Sequence, residues 1–311
     1  MKILITGGYG YLGQRLAKYF HDSGSEVFLG SRKYRKKPPW LKNGKCFISD
    51  WKNIEDAISK LRCIDLVIHS AGMNAVDSNT NPKEAEYVNG FITNELIKAC
   101  IKNKVKKFIY LSTAHVYANP LVGEISENSN PKNTHPYALS NIVGEEFTIA
   151  ANDSKKIKAK VLRLSNCFGY PLSANTNCWH LLVNDICLQA VKNKKIILNS
   201  DGKQLRDFIP IIDLCRTIEF IVNNCMEDDE FKIFNIGSKT LSINEMTKIV
   251  LDIFKKKFQQ EINLVHRPKD KVEVDDFLNF QMNWIKKYKF KKKFNFNEEI
   301  ELLIDFCLSN K

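Results

Sequence analysis

Gly7, Gly10 and Gly13 stand in the spacing G-x-x-G-x-x-G, between a short apolar run and an amphipathic stretch. That order of residues suits the binding of a pyrophosphate. Gly7 permits a sharp turn, Gly10 has no side chain to hold an anion off the backbone, and Gly13 lets a helix pack close to a strand. The helix N-terminus then turns unpaired N–H groups and a partial positive charge towards the anion. Two further groups fall just after apolar runs: Ser70-Ala71-Gly72, and the hydroxyls of Ser112 and Thr113.

Positioning these groups requires strands that end beside one another. Ile3, Leu4 and Ile5 read as a buried parallel strand. Leu12, Leu16, Ala17, Tyr19 and Phe20 fall on one face of the helix that follows. Further strands are predicted at 26–30, 45–48, 65–69, 107–111 and 159–164, with helices at 53–61, 83–103 and 137–151. Strands alternating with helices predict an α/β fold, a doubly wound parallel sheet of Rossmann type with ligands at the carboxyl ends of its strands. Beyond Asn166 the pattern loosens: a loop at 168–177, a helix at 179–192, strands at 196–198 and 232–236, and a βα unit beginning at Asp207. The expected division is a dinucleotide-binding domain over 1–166, rejoined by 207–237, and an interleaved substrate lobe made of 167–206 and 238–311.

Composition narrows the class. The 311 residues are 44% hydrophobic and 26% charged, as a globular chain is. No apolar run reaches membrane-spanning length, and the first strand begins at once, leaving no room for a signal peptide. Nine cysteines without C-x-x-C pairs read as reduced core thiols of a cytoplasmic protein, with no metal site. The net charge of +12 is spread over runs such as Arg32–Lys37 and Lys291–Lys293 without any nucleic-acid-binding signature, so it reads as solvated faces.

In its motifs the chain resembles the extended short-chain dehydrogenase/reductases, the NAD(P)-dependent epimerase/dehydratase family that modifies nucleotide sugars. Thr6–Gly13, including Tyr11 and Leu12, resembles the family's T-G-x-x-G-x-x-G, and Val67–Ala71 its V-I-H-x-A. Asn89-Gly90 with Asn94 resembles N-x-x-G-T-x-N, and Ser112–Tyr117 resembles S-S/T-x-x-V-Y. Pro136–Ser140 with Glu145 resembles P-Y-x-x-S-K-x-x-x-E, and Arg163–Gly169 resembles R-x-x-N-x-Y-G. Asp201–Phe208 and His266–Asp270 resemble D-G-x-Q-x-R-D-F and R-R-P-G-D. Eight matches in the family's order cover nearly the whole chain.

The resemblance implies roles. Tyr137 would move the proton of a sugar hydroxyl while a hydride passes to or from the nicotinamide. Thr113 would hydrogen-bond the reacting oxygen, and Ser112 would support the nicotinamide side. Asn166, Arg206 and Arg267 would hold the substrate's nucleotide diphosphate, since guanidinium forks suit phosphate oxygens. Ala71 would face the cofactor and Asp50 the adenine edge. The family's lysine four residues after the tyrosine, which holds the nicotinamide ribose and lowers the tyrosine's pKa, is here Asn141. An amide can bond a ribose but brings no charge. The chain is therefore either an enzyme with an unusual base environment or a nucleotide-sugar binder that kept the fold. Ala114 and His115 replace the acidic pair of the dehydratases, and His115 and His180 match, in part, the acid/base positions of the 3,5-epimerase/4-reductases of the GDP-fucose synthase type. A homodimer through the helices at 83–103 and 137–151 is implied as well.

Cofactor choice is read at the end of the second strand. Gly30-Ser31-Arg32-Lys33 offers no carboxylate for the ribose hydroxyls of NAD, whereas Arg32 suits a 2′-phosphate. NADP(H) is expected, with NAD(H) as the alternative.

Overall fold

The structure, a computed structural model, describes residues 1–267 and 277–310. Its first half runs β1 (Lys2–Thr6), α1 (Tyr11–Asp22), β2 (Glu26–Ser31), β3 (Gly44–Ile48), α2 (Ile54–Lys60), β4 (Leu66–His69), α3 (Ala75–Thr80) and α4 (Pro82–Ala85). A π-helical turn, Glu86–Phe91, leads into α5 (Ile92–Lys102), then β5 (Lys107–Thr113), β6 (Gly123–Ile125), α6 (Pro136–Asp153) and β7 (Lys158–Leu164). The second half holds β8 (Asn166–Phe168), α7 (Leu182–Asn193), β9 (Lys195–Leu198), β10 (Leu205–Pro210), α8 (Ile211–Asn224), β11 (Ile233–Ile236) and β12 (Lys239–Ser242). It closes with α9 (Ile243–Phe258), β13 (Asn263–His266), β14 (Leu278–Phe280), α10 (Trp284–Tyr288) and α11 (Phe296–Ser309).

Seven strands form one parallel sheet in the order β11-β7-β5-β4-β1-β2-β3. Both of its faces are covered, which is why its strands read as unbroken apolar runs rather than alternations. Successive residues divide between two cores with the period of a strand. Ile3, Ile5, Leu66, Ile68 and Ile109 pack with Leu16, Phe20, Leu214, Ile218 and Trp284 on one face. Leu4, Val67, Phe108 and Tyr110 pack with Ala57, Leu96 and Ala151 on the other. A third core joins α7, α9 and α11 through Val183, Ile186, Val250, Phe254, Ile300 and Ile304.

Several expectations change in detail. The predicted helix at 83–103 is interrupted. Asn81 accepts from the Glu84 N–H to start α4 at Pro82, and the chain widens into the π turn where Gly90 meets α6. A Cβ on Gly90 would lie 2.6 Å from Val143 Cγ1, so only a glycine allows that approach. The helix predicted at 179–192 begins at Leu182, because turns at Cys178 and Leu181 precede it. The loop expected from Phe168 gives up that residue to β8. β10 pairs with β8 and β12 in a separate three-stranded sheet, while α8 and β11 after it return to the main sheet.

Helix α1 also fastens the second half of the chain to the first. Arg15 Nη1 donates to Glu299 of α11 at 2.9 Å and to the Tyr170 carbonyl at 2.6 Å. Both charged side chains of this pair are buried. Gln14 donates to Thr176 Oγ1 at 2.8 Å, and the Tyr11 hydroxyl to the Gly169 carbonyl at 2.9 Å.

Beneath the glycine turn, the Thr6 hydroxyl and His69 Nδ1 lie 2.6 Å apart. Burial pushes the His69 imidazole down from 6.5 to about 4. The unfolded chain therefore binds a proton between those values that the folded chain does not, so stability is lost as pH falls through that window. Asp207, buried and pushed up to about 6, contributes the opposite slope, so His69 is read from a difference. The stability gap between the unmodified protein and His69→Gln should narrow by about 3 kcal/mol from pH 7 to pH 4. Denaturant melts across that range check it.

Candidate active site

The turn after β1 has the shape that a dinucleotide needs. Gly7 adopts φ +63°, and a Cβ there would lie 2.9 Å from the Ala71 backbone. A Cβ on Gly13 would sit 2.2 Å from the Gly7 carbonyl oxygen, so α1 docks on the turn only with glycine at that position. The Ser70 hydroxyl donates to the Thr6 carbonyl at 2.8 Å, and the Ala71 N–H to Thr6 Oγ1 at 3.2 Å, tying the ends of β1 and β4 together. No side chain caps α1, whose N-cap is Gly10, and a Cβ on Gly10 would meet only the Gly7 carbonyl. The first-turn N–H groups are thus left for an anion, and the residues present fit the pyrophosphate of a nicotinamide dinucleotide.

A cavity of about 390 Å³ opens at the carboxyl ends of β1, β4, β5 and β7. It brings together Tyr11, Leu12, Ala71, Ser112, Thr113, His115, Tyr137, Asn141, Asn166 and His180. Among the described residues, no Lys, Arg, Asp or Glu lines it. The other sequence candidates lie outside the lining. Arg32 is exposed after β2, and Asp50 is exposed after β3. Arg206 is half-buried on β10, close enough to His115 for its charge to oppose imidazolium formation. Arg267 is exposed just beyond β13, its backbone N–H donating to the Leu198 carbonyl at 2.8 Å. The rest of its motif, 268–270, falls outside the described residues.

Tyr137 stands in the first turn of α6, which Pro136 opens with its fixed φ and His135 caps by accepting from the Tyr137 N–H at 3.1 Å. Burial raises the Tyr137 hydroxyl above the ordinary phenol value, and a hydrogen bond to Thr113 alone acts the other way. Asn141, one turn on, is buried. Its Nδ2 donates to the Tyr137 carbonyl at 2.7 Å, and its Oδ1 accepts from the Tyr110 hydroxyl at 3.0 Å. Burial, and then the charge of Arg206, lowers the pKa of His115, whose Nδ1 is buried without a partner among the described residues. The site therefore offers a neutral phenol and a neutral imidazole. A phenol can donate a proton to an oxygen or, once ionised, accept one; an imidazole can take a proton from a carbon beside a carbonyl.

Behind Thr113, the Ser112 hydroxyl donates to Glu145 at 2.5 Å, and Arg163 binds the same carboxylate through Nε at 3.0 Å and Nη2 at 2.6 Å. Arg163 also lies over the Tyr117 ring at 4.6 Å. Motif matching points to Glu145 and Arg163 but not to this fork. Tyr110 and the carbonyl of Asn89 carry no local signal, because β5, α6 and the π turn meet only in the fold.

The sequence profile of the NAD dependent epimerase/dehydratase family matches residues 3–237, and the chain belongs to that family. The dTDP-D-glucose 4,6-dehydratase of Dictyostelium discoideum is 28% identical over 280 residues, which cover 81% of this chain. The matched region spans 62% of the length of that relative. Among solved structures, the UDP-N-acetylglucosamine 4-epimerase from Methanobrevibacter ruminantium M1 in complex with UDP-N-acetylmuramic acid superposes with a TM-score of 0.84 at 22% identity, over 100% of this chain and 99% of that one. The UDP-glucuronic acid 4-epimerase from Bacillus cereus in complex with UDP-glucuronic acid and NAD gives 0.79 at 21% identity, over 99% of each chain. These superpositions establish the fold. Neighbours of this architecture bind UDP-sugars and NAD. Among the described residues no helix is long and apolar enough to cross a membrane, and no His/Cys/Asp/Glu cluster is arranged to hold a metal.

The buried fork under the site yields a stability test. Glu145→Ala would leave the Arg163 guanidinium buried without its anion and should cost about 3–5 kcal/mol. Asn141→Ala removes only neutral hydrogen bonds and should cost about 1–3 kcal/mol. Paired thermal melts of the two variants should show the first far less stable than the second.

Proposed function

We propose that this member of the family binds a nucleotide-diphosphate sugar in the cavity and reduces or epimerises it through a keto sugar, with a nicotinamide cofactor. The observation that carries the reading is the grouping of Thr113, Tyr137 and His115 in one uncharged cavity that begins at the dinucleotide turn. A pure binder would need neither hydroxyl. When bound, the cofactor supplies or accepts the hydride. Tyr137 gives its proton to the carbonyl oxygen on reduction and takes one from the hydroxyl on oxidation, while Thr113 holds that oxygen in line. His115, kept neutral, is the base for a carbon-bound proton next to the keto group, with His180, which also lines the cavity, as its partner.

The diphosphate belongs where α7 begins. Leu181, Leu182 and Val183 bring the start of α7 to the cavity, and α7 has no side-chain cap. Arg206 forms no ion pair among the described residues, and burial lowers its pKa, so an anionic ligand would relieve it. Asn166 donates one N–H of Nδ2 to the Asp207 carbonyl at 2.9 Å, leaving the second N–H for a phosphate oxygen. Arg267 completes this set in the proposal. The division of the chain into a cofactor part (1–166 with 207–237) and a sugar part (167–206 with 238–311) belongs to the same reading. So does a homodimer through Tyr87, Phe91 and Leu139, which are exposed on the π turn and α6. A cytoplasmic setting suits the nine free cysteines.

Asn141 favours a second reading, an impaired enzyme that retains binding, because no cation in the cavity lining steadies an ionised Tyr137. Turnover separates the two. If the protein is an enzyme, oxidation of a nucleotide sugar should rise about tenfold per pH unit above neutrality, since the raised phenol is still protonated there. Tyr137→Phe should lower the rate at least about a hundredfold. Nicotinamide absorbance with UDP-, dTDP-, GDP- and CDP-sugars reads both. Turnover unaffected in Tyr137→Phe would refute the mechanism.

NADP(H) is the proposed cofactor because Arg32 is exposed at the end of β2 with no ion-pair partner among the described residues and no acid beside it. NADPH should bind more tightly than NADH, and Arg32→Ala should remove the difference. Calorimetry in which the unmodified protein prefers NADH would overturn this.

A further inference from the structure

We infer that Tyr110 is a positioning residue for the cofactor: its hydroxyl, donating to Asn141 Oδ1, sets the Asn141 amide so that the remaining N–H of Nδ2 is offered to a ribose hydroxyl of the nicotinamide half. The inference rests on the reading above that the cavity holds a nicotinamide dinucleotide.

The orientation follows from which atoms can donate. The Tyr137 carbonyl only accepts, and the Asn141 atom 2.7 Å from it must therefore be the nitrogen. Oδ1 then faces the Tyr110 hydroxyl at 3.0 Å. That hydroxyl has one proton and two acceptors within reach, because the Asn89 carbonyl lies 3.2 Å away. The Asn89 carbonyl already receives the Thr93 hydroxyl at 2.7 Å. The Asn141 contact is the shorter of the two and the Asn89 carbonyl is already engaged, so the Tyr110 proton goes to Asn141. Burial, with the Glu145 carboxylate and Tyr137 nearby, keeps Tyr110 protonated and so able to donate.

The surroundings are shaped for this contact. A Cβ on Gly144 would sit 2.6 Å from the Tyr110 oxygen and 2.5 Å from the Asn89 carbonyl oxygen, so a side chain there would push the phenol away. Tyr110 and Asn141 both line the cavity. An amide needs such a support where an ammonium does not. Lysine carries three equivalent donors, but an amide turned the wrong way would offer a carbonyl oxygen instead of an N–H.

That difference supplies the test, a double-mutant cycle read on cofactor affinity by NADPH fluorescence titration and calorimetry, with turnover as a second readout. In the Asn141 background, Tyr110→Phe keeps the buried ring and should weaken NADPH binding about tenfold. In the Asn141→Lys background the same change should weaken it less than about threefold. Thr93→Val, which frees the Asn89 carbonyl to compete for the Tyr110 proton, should weaken binding in the Asn141 background only. The apparent pKa of turnover should fall on Asn141→Lys and stay fixed on Tyr110→Phe. Equal losses in both backgrounds, or no loss in either, would overturn the positioning role while leaving the cofactor reading intact. An unmodified protein that binds neither NADPH nor NADH would remove the cofactor reading, and this inference with it.

Discussion

The contact between Gly13 and the Gly7 carbonyl is the constraint on which the rest depends. A Cβ on Gly13 would lie only 2.2 Å from that oxygen, so nothing larger than hydrogen fits, and α1 can lie against the turn only for that reason. Its approach sets the open helix N-terminus at the strand ends, where an anion can use the free N–H groups. The same helix carries Tyr11, Gln14 and Arg15 to the second half of the chain. The buried Arg15–Glu299 pair therefore holds α11 in a position fixed by a glycine turn at the other end of the sequence.

The electrostatics of the cavity are as informative as its shape. A phenol, an imidazole, hydroxyls and amides face a space that no formally charged side chain lines among the described residues, while the ion pair of Glu145 and Arg163 lies buried behind Ser112. An ionised Tyr137 there would have only the Thr113 hydrogen bond to lower its pKa. The protonated phenol is the resting state, and it is the form required to donate to a carbonyl oxygen.

The sequence discloses what is local or periodic. The glycine turn, the apolar strands and the order of motifs lead to the sheet and to Thr113, Tyr137 and Asn141 in one place. Short pairings between distant segments leave no trace of that kind. β6 with β14, β9 with β13, and β10 with β8 and β12 are strands of three to six residues whose partners lie far along the chain. The π turn at Glu86–Phe91 is hidden too, because Gly90 reads as a helix-weakening residue until Val143 is seen against it. Asn141 shows the limit most clearly. Its identity announces a missing ammonium, but only the fold reveals that Tyr110 and the Tyr137 carbonyl occupy two of its hydrogen-bonding sites. Arg206 is legible as a cation, and its closeness to His115 is not.

A crystal structure with NADPH and a UDP- or dTDP-linked sugar tests the central claim most directly. It should show the pyrophosphate of the cofactor on the first turn of α1, the sugar oxygen between Thr113 and Tyr137, and the substrate diphosphate at the start of α7 within reach of Arg206. A sugar bound away from the two hydroxyls, or a diphosphate on a different wall of the cavity, would contradict the assignment of this site.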